Sequence, residues 1–250
     1  MRNAKAIFNK QFKSTIQSPE TLIQFMIFPL VAFMMGMFVD MGSVADDLRY
    51  YNPAMADAMI ANMPNLVTMM AAMFAGMALV PAVAGIIAED KEKKSLRFLV
   101  MAGVKPSAYL IGVGSVIFFV SIFTSLAFAF IEGFSRTDFL IFTATMLSGV
   151  AASIVLGATI GIFVNSQQSA TALAMPIALV LGFGPMMAQF SDTIARVLHI
   201  FYSQQINIVV DYLNGGAAAP LWQSFAIIWG NVAVLGVLFA VVYAKKGLKG

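Results

Sequence analysis

Hydrophobic residues in this chain gather into six long runs, over roughly 21–39, 64–88, 108–131, 139–163, 170–190 and 224–243, and none of the six contains an Asp, Glu, Lys, Arg or His. A helix rising 1.5 Å per residue needs about 20 residues to cross ~30 Å of hydrocarbon, and each run supplies them. Lipid offers the backbone no hydrogen-bond partner, so such runs must be helical. The pattern predicts an all-α membrane protein with six transmembrane helices in a single domain spanning 1–250. Between runs five and six lies an outer segment, 190–223. Its stretch 194–213 is moderately apolar but carries Arg196, Gln204, Gln205, Asn207 and Asp211. As a seventh span it would bury these groups in lipid at a cost of several kcal/mol. It is therefore expected to form an outer-face helix or a re-entrant hairpin packed on the bundle.

Ahead of the first run, residues 3–17 place Ala4, Phe8, Phe12 and Ile16 on one helical face, with Arg2, Asn9, Lys10 and Lys13 mostly opposite. This amphipathic spacing predicts an interfacial helix within 1–20, with Phe8 and Phe12 in the bilayer boundary and Lys10 and Lys13 toward water. The alternative is a basic tail that only sets topology. Ser18 and Pro19 read as the cap and first position of the next helix. No apolar core of a cleaved signal peptide precedes the first run.

Charge fixes the expected orientation. Arg2, Lys5, Lys10 and Lys13, then Lys91, Lys93, Lys94, Arg97 and Lys105, then Lys245, Lys246 and Lys249 fall on one side, 12 of the 15 basic residues. The other side holds Arg49, Arg136 and Arg196 among Asp40, Asp46, Asp47, Asp57, Glu132, Asp138, Asp192 and Asp211. The positive-inside rule then puts both termini in the cytoplasm, which requires an even number of spans.

Composition narrows the chemistry. The chain is 60% hydrophobic and 11% charged, about half the charged share of a soluble protein. Without cysteine it has no disulfide or thiolate site. Its single His199 has no partner at metal-ligand spacing, which argues against an intramembrane metalloprotease. Spans empty of ionisable groups argue against a proton-coupled carrier, while sodium held by carbonyls stays open. A non-transporting membrane partner, such as an immunity or sensor subunit, also stays open.

Within the spans, Gly149, Ser153, Gly157 and Gly161 recur every four residues, as do Ala170, Ala174, Ala178 and Gly182. Small residues on one stripe let helices approach closely, either within one bundle or between subunits. Met69, Met70, Met73 and Met77 cluster in the second run, where Met either fills space or lines an adaptable wall.

The loop 89–107 carries the strongest functional signal. A mixed-charge run, Glu89-Asp90-Lys91-Glu92-Lys93-Lys94, leads into Ser95, Leu96, Arg97, Leu99 and Val100, and closes at Gly103 and Pro106. Leu96, Leu99 and Val100 have helical i, i+3, i+4 spacing. A short amphipathic helix joining two spans can seat its apolar face in a groove on a soluble partner, with the charges giving orientation. A solvated loop that only sets topology fits the spacing equally well.

This loop resembles the coupling segment of the type-2 permease subunits of prokaryotic ABC exporters. Those proteins show an acidic-basic run, a small or hydroxyl residue, Leu, a variable position, another Leu and a later Pro. The family often has Gly-Thr before the first Leu and a carboxylate after it, where this chain has Lys94-Ser95 and Arg97. The resemblance implies an ATP-driven exporter in the cell membrane in which this chain is the permease. It implies two partners, a separate ABC ATPase subunit and a second permease subunit, alike or related. Glu89, Glu92, Lys94, Ser95, Leu96, Arg97, Leu99 and Val100 would form the ATPase-coupling interface. The sequence has no G-x-x-x-x-G-K-[ST] phosphate loop, so ATP and magnesium would sit on the partner and no cofactor on this chain. Lipid is an expected partner and nucleic acid is not.

Overall fold

A computed structural model describes residues 2–17, 19–38, 49–53, 66–216 and 220–246. Asp40, Asp46, Asp47, Asp57, Lys249 and the expected cap Ser18 lie outside the described residues, as do the side chains of Arg2, Ala4, Lys5, Ile16 and Lys246. The elements are α1 (Arg2–Gln17), α2 (Pro19–Phe38), α3 (Leu66–Met73, a π-helical turn Phe74–Ala78, then Leu79–Glu92), α4 (Ser95–Met101), α5 (Pro106–Glu132), α6 (Arg136–Phe163), α7 (Gln167–Ala188), α8 (Asp192–Leu198), α9 (Tyr202–Leu213) and α10 (Leu221–Lys246). Among the described residues, five helices are long and apolar enough to cross a membrane: α3, α5, α6, α7 and α10. The first apolar run forms the 20-residue α2, whose described side chains are apolar from Phe25 to Met34.

Helix α3 is the central element, packed by α2, α6 and α7. The small-residue stripes explain how it is enclosed. A methyl group on Gly157 would lie 2.6 Å from the Val80 carbonyl oxygen, and one on Gly161 2.5 Å from that of Ala84. On the α7 side, a methyl on Gly76 would lie 2.8 Å from Leu181, and Ala170, Ala174 and Ala178 are fully buried. Gly182 approaches Met77 and the backbone of Met73. Both stripes are therefore consumed inside the chain. Among the described residues, Gly149, Ser153, Gly157 and Gly161 form a packing seam against α3 and α9.

The π-helical turn of α3 has a local cause. Pro81 lacks an N–H, and its ring crowds the carbonyl four residues before it, at Met77. The helix widens over Phe74–Ala78, and Ser153 of α6 reaches in, its Oγ 2.6 Å from the Ala75 carbonyl oxygen.

Helices α8 and α9 form a hairpin that dips into the bundle. Tyr202 meets Ser153 and Ile206 meets Gly149, so α9 runs along α6 toward its start. At 1.5 Å per residue, Ser153 lies about 25 Å along α6 from Arg136, and Asn231 about 15 Å along α10 from Leu221. Asn231 Nδ2 donates to the carbonyl of Ile200 at the hairpin tip, 2.9 Å away. Gln205 Nε2 donates to the carbonyl of His199. The Ser153 and Tyr202 hydroxyls share a 2.9 Å hydrogen bond. Non-helical backbone at that depth must find partners in protein. One of the polar residues that disqualify 194–213 as a span, Gln205, supplies such a partner.

Candidate functional site: the basic-end junction

At the other end of the bundle the basic segments converge. Here α1, the α3–α4–α5 connection, the α6–α7 turn and the last turn of α10 meet. Three consecutive charged residues at the end of α3 each engage a different neighbour. Asp90 is 5% exposed. It accepts from Lys10 Nζ at 2.6 Å, Gln11 Nε2 at 3.0 Å and the Tyr109 hydroxyl at 3.0 Å, tying α1 and α5 to α3. Donors of this kind give a buried carboxylate the hydrogen bonds it loses from water. Lys91, 4% exposed, donates to the carbonyls of Ile162 (3.1 Å) and Val164 (2.8 Å), where α6 ends. Glu92 Oε2 accepts from the backbone N–H of Gln167, the first residue of α7, at 3.0 Å. A cation on orphan carbonyls at a helix C-terminus and an anion on an N–H at a helix N-terminus both match the helix dipoles. Ser166 adds a second cap to α7, its Oγ accepting from the N–H of Ser169 at 3.2 Å.

Glu89 accepts a hydrogen bond from Lys93 one turn on, and that bond and charge hold the Lys93 ammonium above the usual lysine range. Lys94 takes φ +60° at the start of α4, a left-handed conformation that disfavours side chains with a Cβ. The glycine common at this position in the resembled permeases fits that geometry without cost.

Helix α4 sits differently from its spacing-based expectation. Leu96 is completely buried, and Leu99 and Val100 are half-buried against the core. The apolar groups that reach outward are Phe98, 69% exposed, and Met101, 67% exposed, with Arg97 beside them. The i, i+3, i+4 face is therefore the one that holds α4 to its own bundle, and the opposite ridge faces away. Ser95, half-buried, joins Ile7, Lys10, Asp90, Phe98 and Leu99 in lining a cleft of about 640 Å³ between α1 and α4. The Tyr243 hydroxyl of α10 closes the connection from behind, donating to the carbonyl of Val104 at 3.2 Å.

The expected face of α1 is also displaced. Ile7, Gln11 and Thr15 are buried, whereas Phe8 and Phe12 are half-buried. The two rings stack at 5.4 Å, and Phe12 meets Phe119 of α5 at 6.0 Å. Lys13 is exposed. Asp90 accounts for the shift: its buried charge needs donors, and Lys10 and Gln11 turn toward it.

Sequence reasoning missed Asp90, Lys91, Gln11, Tyr109, Phe98 and Met101. A signal for Lys91 was present. Val80, Ala84 and Ile87 form the α3 face that packs on α6, and one more helical turn lands on Lys91. Among the described residues, no cluster of His, Cys, Asp or Glu is placed to hold a metal ion.

The end of α3 is thus stapled to α1, α5, α6 and α7, and the ridge of Arg97, Phe98 and Met101 on α4 is exposed. Residues 60–242 match the family described as ABC-2 family transporter protein. The chain belongs to that family and is a multi-pass membrane component of an ABC transporter. The resemblance read from the coupling loop is thus borne out over most of the chain. No curated protein matches it.

Proposed function

We propose that this chain is the permease subunit of an ATP-driven exporter, with six spans counting α2, both termini in the cytoplasm and ATP hydrolysed on a separate ABC ATPase. In this reading the basic end faces the cytoplasm and the ATPase docks there on the α4 ridge of Arg97, Phe98 and Met101. The carrying observation is that ridge: two large apolar side chains exposed on a short helix whose base is anchored to α1, α5, α6 and α7. Closing of the ATPase dimer on ATP and magnesium would displace α4, and the bundle would switch access along a path formed with a second permease subunit. The cargo is unidentified, and the apolar walls favour one with apolar character.

Phe98→Asp tests the docking. The side chain is exposed, so the fold is expected to survive with an unchanged unfolding midpoint. Affinity for the copurified ATPase should fall at least tenfold, about 1.4 kcal/mol or more, as for an apolar anchor in an interface. Retention of the ATPase at wild-type affinity in a folded Phe98→Asp, Met101→Asp double variant would refute the reading. Leu96→Asp is a poorer test, because it would bury an unpaired charge.

A further inference from the structure

Resting on the reading that α4 receives the drive, we propose that Lys91 and Glu92 are positioning residues that make α7 move with α4 as one body. Only Lys93 and Lys94 separate Glu92 from α4, so any displacement of α4 acts on the end of α3 with almost no slack. Beyond it the chain has two staples into the α6–α7 turn. Lys91 holds the carbonyls of Ile162 and Val164, and Glu92 holds the N–H of Gln167. The turn between them is short, from Val164 to Ser166, and Val164 is already extended. Gripped from both sides, it has no independent freedom along the bundle axis.

The two helices leaving this turn are not equally able to respond. Helix α6 is locked to α3 by glycines in contact with backbone at Val80 and Ala84, and to the hairpin through Ser153 and Tyr202. Helix α7 carries Pro176 and Pro185 in its interior, each of which deletes a ladder hydrogen bond and permits bending. Its outward face, including Leu173, Leu179, Val180 and Phe183, is exposed rather than packed. Helix α7 also packs closely on α3, with Leu181 against Gly76, so it is the prolines that let a push delivered at Gln167 go into α7. Lys91 ties the α6 end, and Glu92 the α7 start, to the same end of α3.

The chain has no cysteine, so a spin-label pair can be introduced cleanly. Ala102, just past α4, and Ala172 on α7 are both exposed, and neither belongs to the ridge of Arg97, Phe98 and Met101. Lys245 on α10, also exposed, gives a reference. The complex with its ATPase in lipid nanodiscs would be measured without nucleotide and with ATP trapped before hydrolysis. The 102–245 separation should change between the two states while the 102–172 separation stays the same. In Glu92→Ala the 102–172 distribution should broaden or shift on ATP, and Glu92→Gln, which keeps an acceptor for the Gln167 N–H, should restore the wild-type result. Lys91→Met should loosen the same pair, with Lys91→Arg as its rescue. Glu92 is exposed, so its variants keep the test alive if Lys91→Met does not fold. A 102–172 separation that changes in the wild-type complex, or a Glu92→Ala indistinguishable from wild type, overturns the proposal while leaving the docking reading intact. A complex that does not form, or a 102–245 separation unmoved by ATP, overturns both.

Discussion

The two ends of this bundle solve one problem with different chemistry. At the basic end, helix termini are held by charged groups: Asp90 on α1 and α5, Lys91 on the end of α6, Glu92 on the start of α7. At the hairpin tip, non-helical backbone at mid-bundle depth is held by neutral groups alone: Asn231 on Ile200, Gln205 on His199, and the Ser153 and Tyr202 hydroxyls near the widened turn of α3. The difference follows from access to water. A charge near the bundle end keeps part of its hydration, as Lys10 does with half its side chain exposed. A charge at the tip would face lipid and protein only, where even a paired ion costs more than an amide or hydroxyl.

The strongest way to break this contrast is to move a charge to the wrong end. Ser153→Asp would place a carboxylate against two carbonyl oxygens, Ala75 and Gly149, which cannot donate to it, with the Tyr202 hydroxyl as a donor too weak to offset a charge at that depth. We expect a loss of about 3 kcal/mol, the order seen for an acidic residue at mid-membrane depth. Thermal unfolding in detergent with a monodispersity check would read this. A Ser153→Asp protein as stable as wild type would mean the tip is hydrated, and the comparison would fail.

Removing a neutral staple should cost less. Asn231→Leu leaves the Ile200 carbonyl without its amide donor, while the bond from Gln205 to His199 survives. Single polar bonds between helices in membranes contribute about 1 kcal/mol or less, so the midpoint should fall by that order. Protease sensitivity at residues 199–201 should rise in parallel, because the tip is where the bond acts.

How far the sequence alone reaches also differs between the two ends. The hairpin was legible as an exception: a moderately apolar stretch with Gln204, Gln205 and Asn207 in it is too polar for lipid, yet too apolar for water. The stripes of Gly149 to Gly161 and Ala170 to Gly182 were legible as close-packing faces, but their partner was not. Spacing shows that a face is small without showing which backbone lies against it. At the basic end the loop 89–107 was legible as a short helix, and the face its spacing marks lies against the bundle. Leu96, Leu99 and Val100 mark a buried face by period, and a buried face fits its own bundle as well as a foreign groove. The charges of Asp90, Lys91 and Glu92 read as solvated because they follow the apolar run. Helix α3 continues through them, however, so its inward faces carry Asp90 and Lys91 into the protein, while Glu92 stays exposed. The turn at Lys94 escaped notice because a lysine gives no sign of a left-handed φ, where a glycine would have.

The smallest effect belongs to the one charged pair at the basic end that joins nothing to anything else. Glu89 and Lys93 are neighbours on a single helical turn, both partly exposed, and they bridge no two elements. Exposed pairs of this spacing contribute little, since solvent and salt screen them. Because Glu89 raises the Lys93 pKa, whatever the pair adds is present below the ordinary lysine value and fades only as pH climbs through the raised one. Stability should therefore show no step from this pair across the neutral and mildly alkaline range. Glu89→Gln is expected to leave the unfolding midpoint and the 102–172 separation unchanged, while Glu92→Ala, three residues on and equally acidic, should alter the register of α7. If Glu89→Gln matched Glu92→Ala in the 102–172 distance measurement, bulk charge of the loop rather than the aim of each side chain would be what counts. The contrast between stapled and idle charges would then have to be given up.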